Sequence, residues 1–206
     1  MTLNMDDLLN SIMDSLGRID YIKADDIPNI DLYMDQVTTF MDKKLKNTCR
    51  NQNEDKILTK TMINNYAKNN LLPPPIKKKY SKEHILVLIF IYYYKGILSI
   101  NDIQNLLNPL TERFFGTQEK FNLEDIYEEV FSMESEQVEA MKKDVMATYA
   151  SSKDMFGEAP EESRDFLQMF AFICMLSFDV YVKKLLIEKI VDGFNASNQN
   201  MEDIKK

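Results

Sequence analysis

The sequence predicts an all-α protein, and three features carry that expectation. Only 5 glycines and 6 prolines occur among 206 residues, too few breaks for a β fold that turns often. Apolar residues recur at helical spacing through most of the chain. Two strongly apolar stretches, residues 85–94 and 166–182, read as buried helices. The first is too short to cross a bilayer and the second is interrupted by Gln168 and Asp179, so no membrane partner is expected. A hydrophobic content of 45% is enough for a sizeable core.

Residues 3–16 are amphipathic and acidic, with Leu8, Leu9, Ile12, Met13 and Leu16 on one face, and are read as a first helix and not as a signal or transit peptide. Residues 18–30 contain Asp25, Asp26 and Pro28 and read as a connector. Asp31 is expected to cap a helix to about Lys46, with Met34, Val37, Phe40, Met41 and Leu45 on its apolar stripe. Residues 47–56 have no periodicity and read as a loop. In residues 59–70, Met62, Ile63, Tyr66 and Ala67 gather on one helix face, while Lys60, Thr61, Asn64, Asn65 and Lys68 take the opposite face. Asn70 suits the left-handed position that ends a helix, and Leu71 and Leu72 would anchor the exit.

Residues 73–79 (PPPIKKK) read as a stiff, extended, basic segment, because proline fixes φ. Ser81 caps a helix from Lys82 to Lys95, stopped by Gly96; it is apolar almost all round and therefore central to a core. Ser99 and Asp102 have the spacing of a capping box for a short helix through Leu107. An acidic half begins after Pro109. Its first long helix is expected over residues 123–149, with Ile126, Val130, Met133, Val138, Met141, Val145 and Met146 as core positions. A loop over 151–160 leads to a helix from Glu161 to about Asp192, with Gly193 as its stop and residues 195–206 as a frayed tail.

Charge is divided sharply. The window from Lys43 to Lys95 holds 12 basic and 3 acidic residues, +9, which leaves −17 for the rest of a chain whose net charge is −8. One face of the molecule is thereby aimed at a polyanion. Inside that window, Thr61, Asn64 and Asn65 are candidates to approach bases. Lys60, Lys68, Lys77, Lys78 and Lys79 are candidates for phosphates, and Tyr80 either bonds a phosphate or packs on the next helix.

These residues carry a resemblance. TMINNYAKNNLLPPP (61–75), KKKYS (77–81), an apolar helix, Gly96 and SINDIQNLL (99–107) resemble a MerR-type winged helix-turn-helix. In that group a threonine-initiated reading helix ends in Gly-Leu-Leu-Pro, and a basic wing closes on a tyrosine. The wider stretch, including IPNIDLYMDQVTTF (27–40), resembles an uncharacterised bacterial family, domain-of-unknown-function family 1836, over roughly the first half of the chain. Asn64 and Asn65 stand where MerR proteins usually carry arginine and tyrosine, Asn70 replaces the helix-ending glycine, and the wing is short. The resemblance implies a winged helix-turn-helix N-terminal half (1–108) and a helical C-terminal half (109–206) for assembly or ligand binding. It further implies a transcriptional regulator whose partner is double-stranded DNA, acting as a homodimer.

Other chemistry has little footing. His84 is the single histidine, too few for a zinc site or a Ser-His-Asp triad. Glu128/Glu129 and Glu161/Glu162 are adjacent on helices and do not face each other. No phosphate-binding glycine pattern occurs, so neither a cofactor nor an enzyme activity is expected. Cys49 and Cys174 share no motif, consistent with a reduced, cytoplasmic protein. Met155, Phe156, Phe166, Met169, Phe170, Phe172, Met175 and Phe178 read as core, as a dimer interface or as the lining of an apolar ligand site. The alternative to DNA binding is a protein-interaction module that keeps the fold, or an apolar-ligand sensor.

Overall fold

The computed structural model describes residues 5–16, 21–50, 57–117 and 120–204, with side chains at 5, 16, 135 and 197–204 left out. The expected starts at Leu3 and Arg18, the side chain of Leu16, Lys56 and most of the 47–56 loop therefore lie outside the described residues. The protein is mainly helical, with one two-stranded sheet. Its contacts gather into two compact units, residues 18–132 and residues 1–17 with 133–206. The expected boundary at 108/109 instead falls inside a continuous helix.

The unit 18–132 is organised by α4 (Lys82–Tyr94), in which every residue from His84 to Ile91 is buried. Such a helix has no solvent face and must be covered from all sides. β2 (Lys79–Tyr80), α5 (Ile100–Phe114) and α6 (Leu123–Phe131) all pack on it. β1 (Leu32–Tyr33) pairs antiparallel with β2, Leu32 opposite Tyr80 and Tyr33 opposite Lys79. α2 (Met34–Leu45) packs on that sheet and buries Val37, Met41 and Leu45. This pairing draws residues 32–33 into a strand, so the cap of α2 is Tyr33 and not Asp31; the Tyr33 N–H donates to Gln36 Oε1 at 2.8 Å.

Three further boundaries differ from expectation. α5 runs through Pro109 to Phe114, well past Leu107. Proline there removes one backbone donor without ending the helix, because Ile103 and Leu107 are already locked into the core. The helix expected over 123–149 is two helices, α6 and α7 (Glu134–Lys153), broken at Ser132 and Met133. Ser132 turns its N–H (3.3 Å) and Oγ (2.7 Å) onto the Glu129 carbonyl, which closes α6 with no glycine or proline. Asn122 caps α6, its Oδ1 accepting from the N–H groups of Glu124 and Asp125. Of the expected core positions here, Val130, Met133, Met141 and Met146 are exposed; the fully buried residues of α6 are Leu123 and Tyr127, which were not among them. Gly193 does not stop the last helix, α8 (Glu161–Ile204), which continues through it for 44 residues in all. A single helical glycine costs only about 1 kcal/mol.

The other unit joins α1 (Met5–Leu16) to α7 and α8. Leu9, Tyr149 and Phe172 form its buried centre, flanked by Met13, Val145 and Leu176. Of the residues expected on one face of this helix, Leu9 is buried, whereas Leu8 and Ile12 are exposed. Asp6 accepts from Tyr149 Oη (2.7 Å) and Lys153 Nζ (2.5 Å), and the lysine bond holds its carboxyl below the usual range. No described helix is long and apolar enough to cross a membrane. Neither cysteine is in a disulfide; Cys49 is half-buried and Cys174 exposed.

The connector before β1 is fastened by a buried bond from Tyr127 Oη to the Ile22 carbonyl (2.5 Å). Tyr127 also joins a ring cluster, edge-on to Phe90 and tilted against Phe131. Tyr127→Phe keeps the ring and orphans the buried carbonyl, so it should destabilise the protein by about 1–3 kcal/mol in urea unfolding, with an unchanged m-value.

Candidate nucleic-acid interface

α3 (Lys60–Lys68) is the helix expected to carry the site. Thr59 caps it, with Oγ1 accepting from the Met62 N–H at 3.1 Å. Ile63 and Tyr66 are buried, and the helix packs on α2 through that face. Lys60, Thr61, Asn64, Asn65 and Lys68 are all exposed. The helix ends in a Schellman motif: Asn70 is left-handed (φ 55°), the Leu71 N–H reaches the Tyr66 carbonyl (2.9 Å) and the Asn70 N–H reaches Ala67 (3.4 Å). Leu71 and Leu72 are buried just beyond it. Gln104 of α5 donates to the Asn69 carbonyl (3.0 Å), a clamp that no local sequence signal announced.

The basic segment is not extended throughout. After the prolines, Ile76 and Lys79 exchange both backbone bonds (3.1 and 2.9 Å) around Lys77 (φ 50°) and Lys78 (φ 66°). Two left-handed central residues define a type I′ hairpin turn, which normally uses Asn-Gly. Lysine at both positions costs about 1–2 kcal/mol each in backbone strain. The turn carries two exposed lysines at its tip. Lys79 lies half-buried with its ammonium 5.3 Å from the Tyr33 ring centre. Tyr80 is 2% exposed, its ring edge-on to His84, which removes it from the accessible surface. α3 and the strand pair are both seated on α2, so the helix face and the turn share one support.

The basic window is less uniform than its charge count. Lys60 is ion-paired with Asp35, Lys44 with Asp26 (2.9 Å) and Lys82 with Glu124 (2.5 Å). Lys95 donates to the Ile57 carbonyl (2.7 Å) over the Tyr92 ring, and burial pushes its ammonium down. Lys43, Lys46, Arg50, Lys68, Lys77 and Lys78 stay exposed. Asp35, the partner of Lys60, was invisible in the sequence because only the fold brings α2 beside α3. The carboxylates of Asp25, Glu124 and Glu128 lie within 4.8 Å of one another, with Glu124 already held by Lys82.

His84 is the second residue that sequence reasoning undervalued. It is 2% exposed and sits at the root of the turn. Its Nδ1 accepts the Ser81 N–H (3.0 Å), which places the ring proton on Nε2, 3.4 Å from the Pro74 carbonyl. The spacing from Ser81 is that of a capping box, a signal present in the sequence. Burial pushes the imidazole down, with the Pro74 carbonyl offsetting part of that effect.

In the most apolar part of the C-terminal region, Phe172 alone of the expected core set is buried. Phe166, Phe170 and Phe178 are 68%, 56% and 67% exposed, and Met155, Phe156 and Met175 are exposed as well.

A family described as "Domain of unknown function (DUF1836)" matches residues 22–130, just over half of the chain and nearly all of the unit that carries α3 and the turn. No curated protein and no solved structure matches the chain.

Two outcomes follow from the turn and its root. Lys77→Asn/Lys78→Gly relieves the left-handed strain and should raise stability by about 1–2 kcal/mol, read as a higher unfolding midpoint. For His84, the folded pKa lies below the ordinary value of about 6.5. The unfolded chain therefore takes up a proton that the folded ring refuses, and stability falls as pH drops through that value. Glu83, whose carboxyl burial pushes up, acts with the opposite sign and in a lower pH range. Thermal unfolding between about pH 7.5 and 5.5 should show the loss in wild type, and His84→Gln should flatten it.

Proposed function

Because the chain belongs to the DUF1836 family, whose matched region spans α3 and the basic turn, we propose that it is a DNA-binding transcriptional regulator of winged helix-turn-helix type, acting as a homodimer on double-stranded DNA. The observation that carries this reading is the pairing, on one support, of an exposed polar helix face with a strained turn tipped by two cations. A helix of this size fits the major groove, and a hairpin beside it reaches the flanking backbone.

In this reading Thr61, Asn64 and Asn65 approach base edges, and asparagine pairs bidentately with adenine. Lys68, Lys77 and Lys78 hold phosphates. Lys60 joins them by exchanging Asp35 for a phosphate, a cheap exchange because both side chains are exposed and such a pair is worth about 0–1 kcal/mol. Lys79 and Tyr80 serve from within, Lys79 against Tyr33 and Tyr80 as part of the core under the turn. The strain at Lys77 and Lys78 has a rationale here: the residues suited to the backbone, Asn and Gly, would forfeit both charges.

The test is binding to random duplex DNA across a salt series. Each phosphate contact contributes about 0.9 to the slope of log K against log salt, so Lys77→Ala/Lys78→Ala should flatten that slope by about two. Absence of wild-type binding at low salt would sink the reading.

A further inference from the structure

The outer face of the small sheet carries a row of side chains that the basic turn does not account for. Leu32 and Tyr80 are opposite each other and buried, so their neighbours in register, Tyr33 and Lys79, lie on the other face of the sheet. The Tyr33 N–H is turned to Gln36, and Lys79 gives both its backbone groups to Ile76. Tyr33 and Lys79 are therefore a non-hydrogen-bonded pair, the closer of the two kinds, which suits the approach of the ammonium to the ring. Ile76, opposite Lys79 across the turn, extends the row. Tyr33 is 54% exposed, and Ile76, at 72%, is the most exposed large apolar residue among those described. Ile30, 67% exposed, is outside this register and lines a cleft with Glu83 and Glu124, carboxylates that a polyanion avoids.

The fold places this row between the two candidate contacts with DNA. Asp35, two residues beyond Tyr33 on the first turn of α2, is ion-paired with Lys60 at the start of α3. The Tyr33 ring itself meets Lys79, which closes the turn of Lys77 and Lys78. A ligand that touches both the start of α3 and the turn passes over Tyr33. We propose that Tyr33 and Ile76 grip the sugar–phosphate backbone of double-stranded DNA: the Tyr33 hydroxyl donates to a phosphate oxygen, and Ile76 lies on deoxyribose carbons. Lys79 is the positioning residue, since its ammonium holds the ring before the duplex arrives. The chemistry suits the place. The exposed lysines beside the row draw in the polyanion, and a phenol and an aliphatic chain then meet it without adding charge. This inference rests on the DNA-binding reading above and adds to it a neutral contact.

The experiment titrates the full chain with random duplex DNA across a salt series. Tyr33→Phe keeps the ring on Lys79 and should keep the unfolding midpoint, yet lower the affinity about tenfold at every salt concentration. The slope of log K against log salt should not change, because a phenol displaces no counterion. Ile76→Thr, which keeps the branched side chain, should act in the same way to a smaller degree. A further variant reads proximity directly. The chain has no tryptophan, so Tyr33→Trp supplies a single one, and saturating duplex should shield it from acrylamide quenching. A wild type that binds DNA while either Tyr33→Phe or Ile76→Thr binds equally well overturns the proposal and spares the DNA reading. So does a Tyr33→Trp chain whose ring stays open to acrylamide in the complex. A loss in Tyr33→Phe that comes with a flatter slope overturns it too, since that is the mark of a lost cation. A wild type that binds no duplex at low salt sinks the DNA reading itself, and this contact with it.

Discussion

Eight consecutive buried residues on α4 are the constraint from which the unit 18–132 follows. A helix without a wet side cannot sit at an edge, so α5, α6 and the strand pair are obliged to surround it. Each aliphatic side chain sealed there contributes about 1.5–3 kcal/mol, far more than any of the unit's surface ion pairs. Position follows from this enclosure. The root of the turn is fixed because His84, on the first turn of α4, reaches back to Ser81 and Pro74. The end of α3 is fixed because Gln104, on a helix packed against α4, holds Asn69.

The same enclosure decides what the basic residues do. Four of them, Lys44, Lys60, Lys82 and Lys95, are drawn into ion pairs or onto a carbonyl. The accessible positive charge is concentrated on fewer points than the sequence window suggests, and two of those points stand on the hydrogen-bonded turn at Lys77 and Lys78. A surface contact of that kind depends less on total charge than on how little the cations must be ordered at the moment of binding.

Much of this was legible in the sequence, and the failures have physical causes. α3 was legible in full: its two faces, its threonine start and the left-handed Asn70 are all short-range signals. The burial of α4 was legible because no polar stripe interrupts it. The I′ turn was not, since two lysines hide a conformation that Asn-Gly would advertise. The break between α6 and α7 was not, because Ser132 closes a helix by the same hydroxyl bond that serine makes harmlessly in many helices. Pro109 and Gly193 misled in the other direction. Both are punctuation in an isolated peptide, and both are overridden where the helix on either side is held. The exposed apolar residues of α8 show the limit most plainly: an apolar residue declares that it is to be covered, and not by what. In the site, Thr61, Asn64, Asn65 and Lys68 lie on the exposed face where the pattern put them. The demotion of Tyr80 and the pairing of Lys60 needed the tertiary fold.

The unit built from α1, α7 and α8 is interrupted in sequence by the whole of the other one, and this bears on biosynthesis. Asp6 and Tyr149 are bonded across 143 residues. A chain emerging from the ribosome exposes α1 long before its companions exist. Residues 18–132 have all their partners at hand and are free to condense first, whereas α1 must wait through their synthesis with Leu9 uncovered. Closing so long an interval costs little more than closing a short one, because the entropy of closure grows only with the logarithm of length. The burden is therefore one of timing.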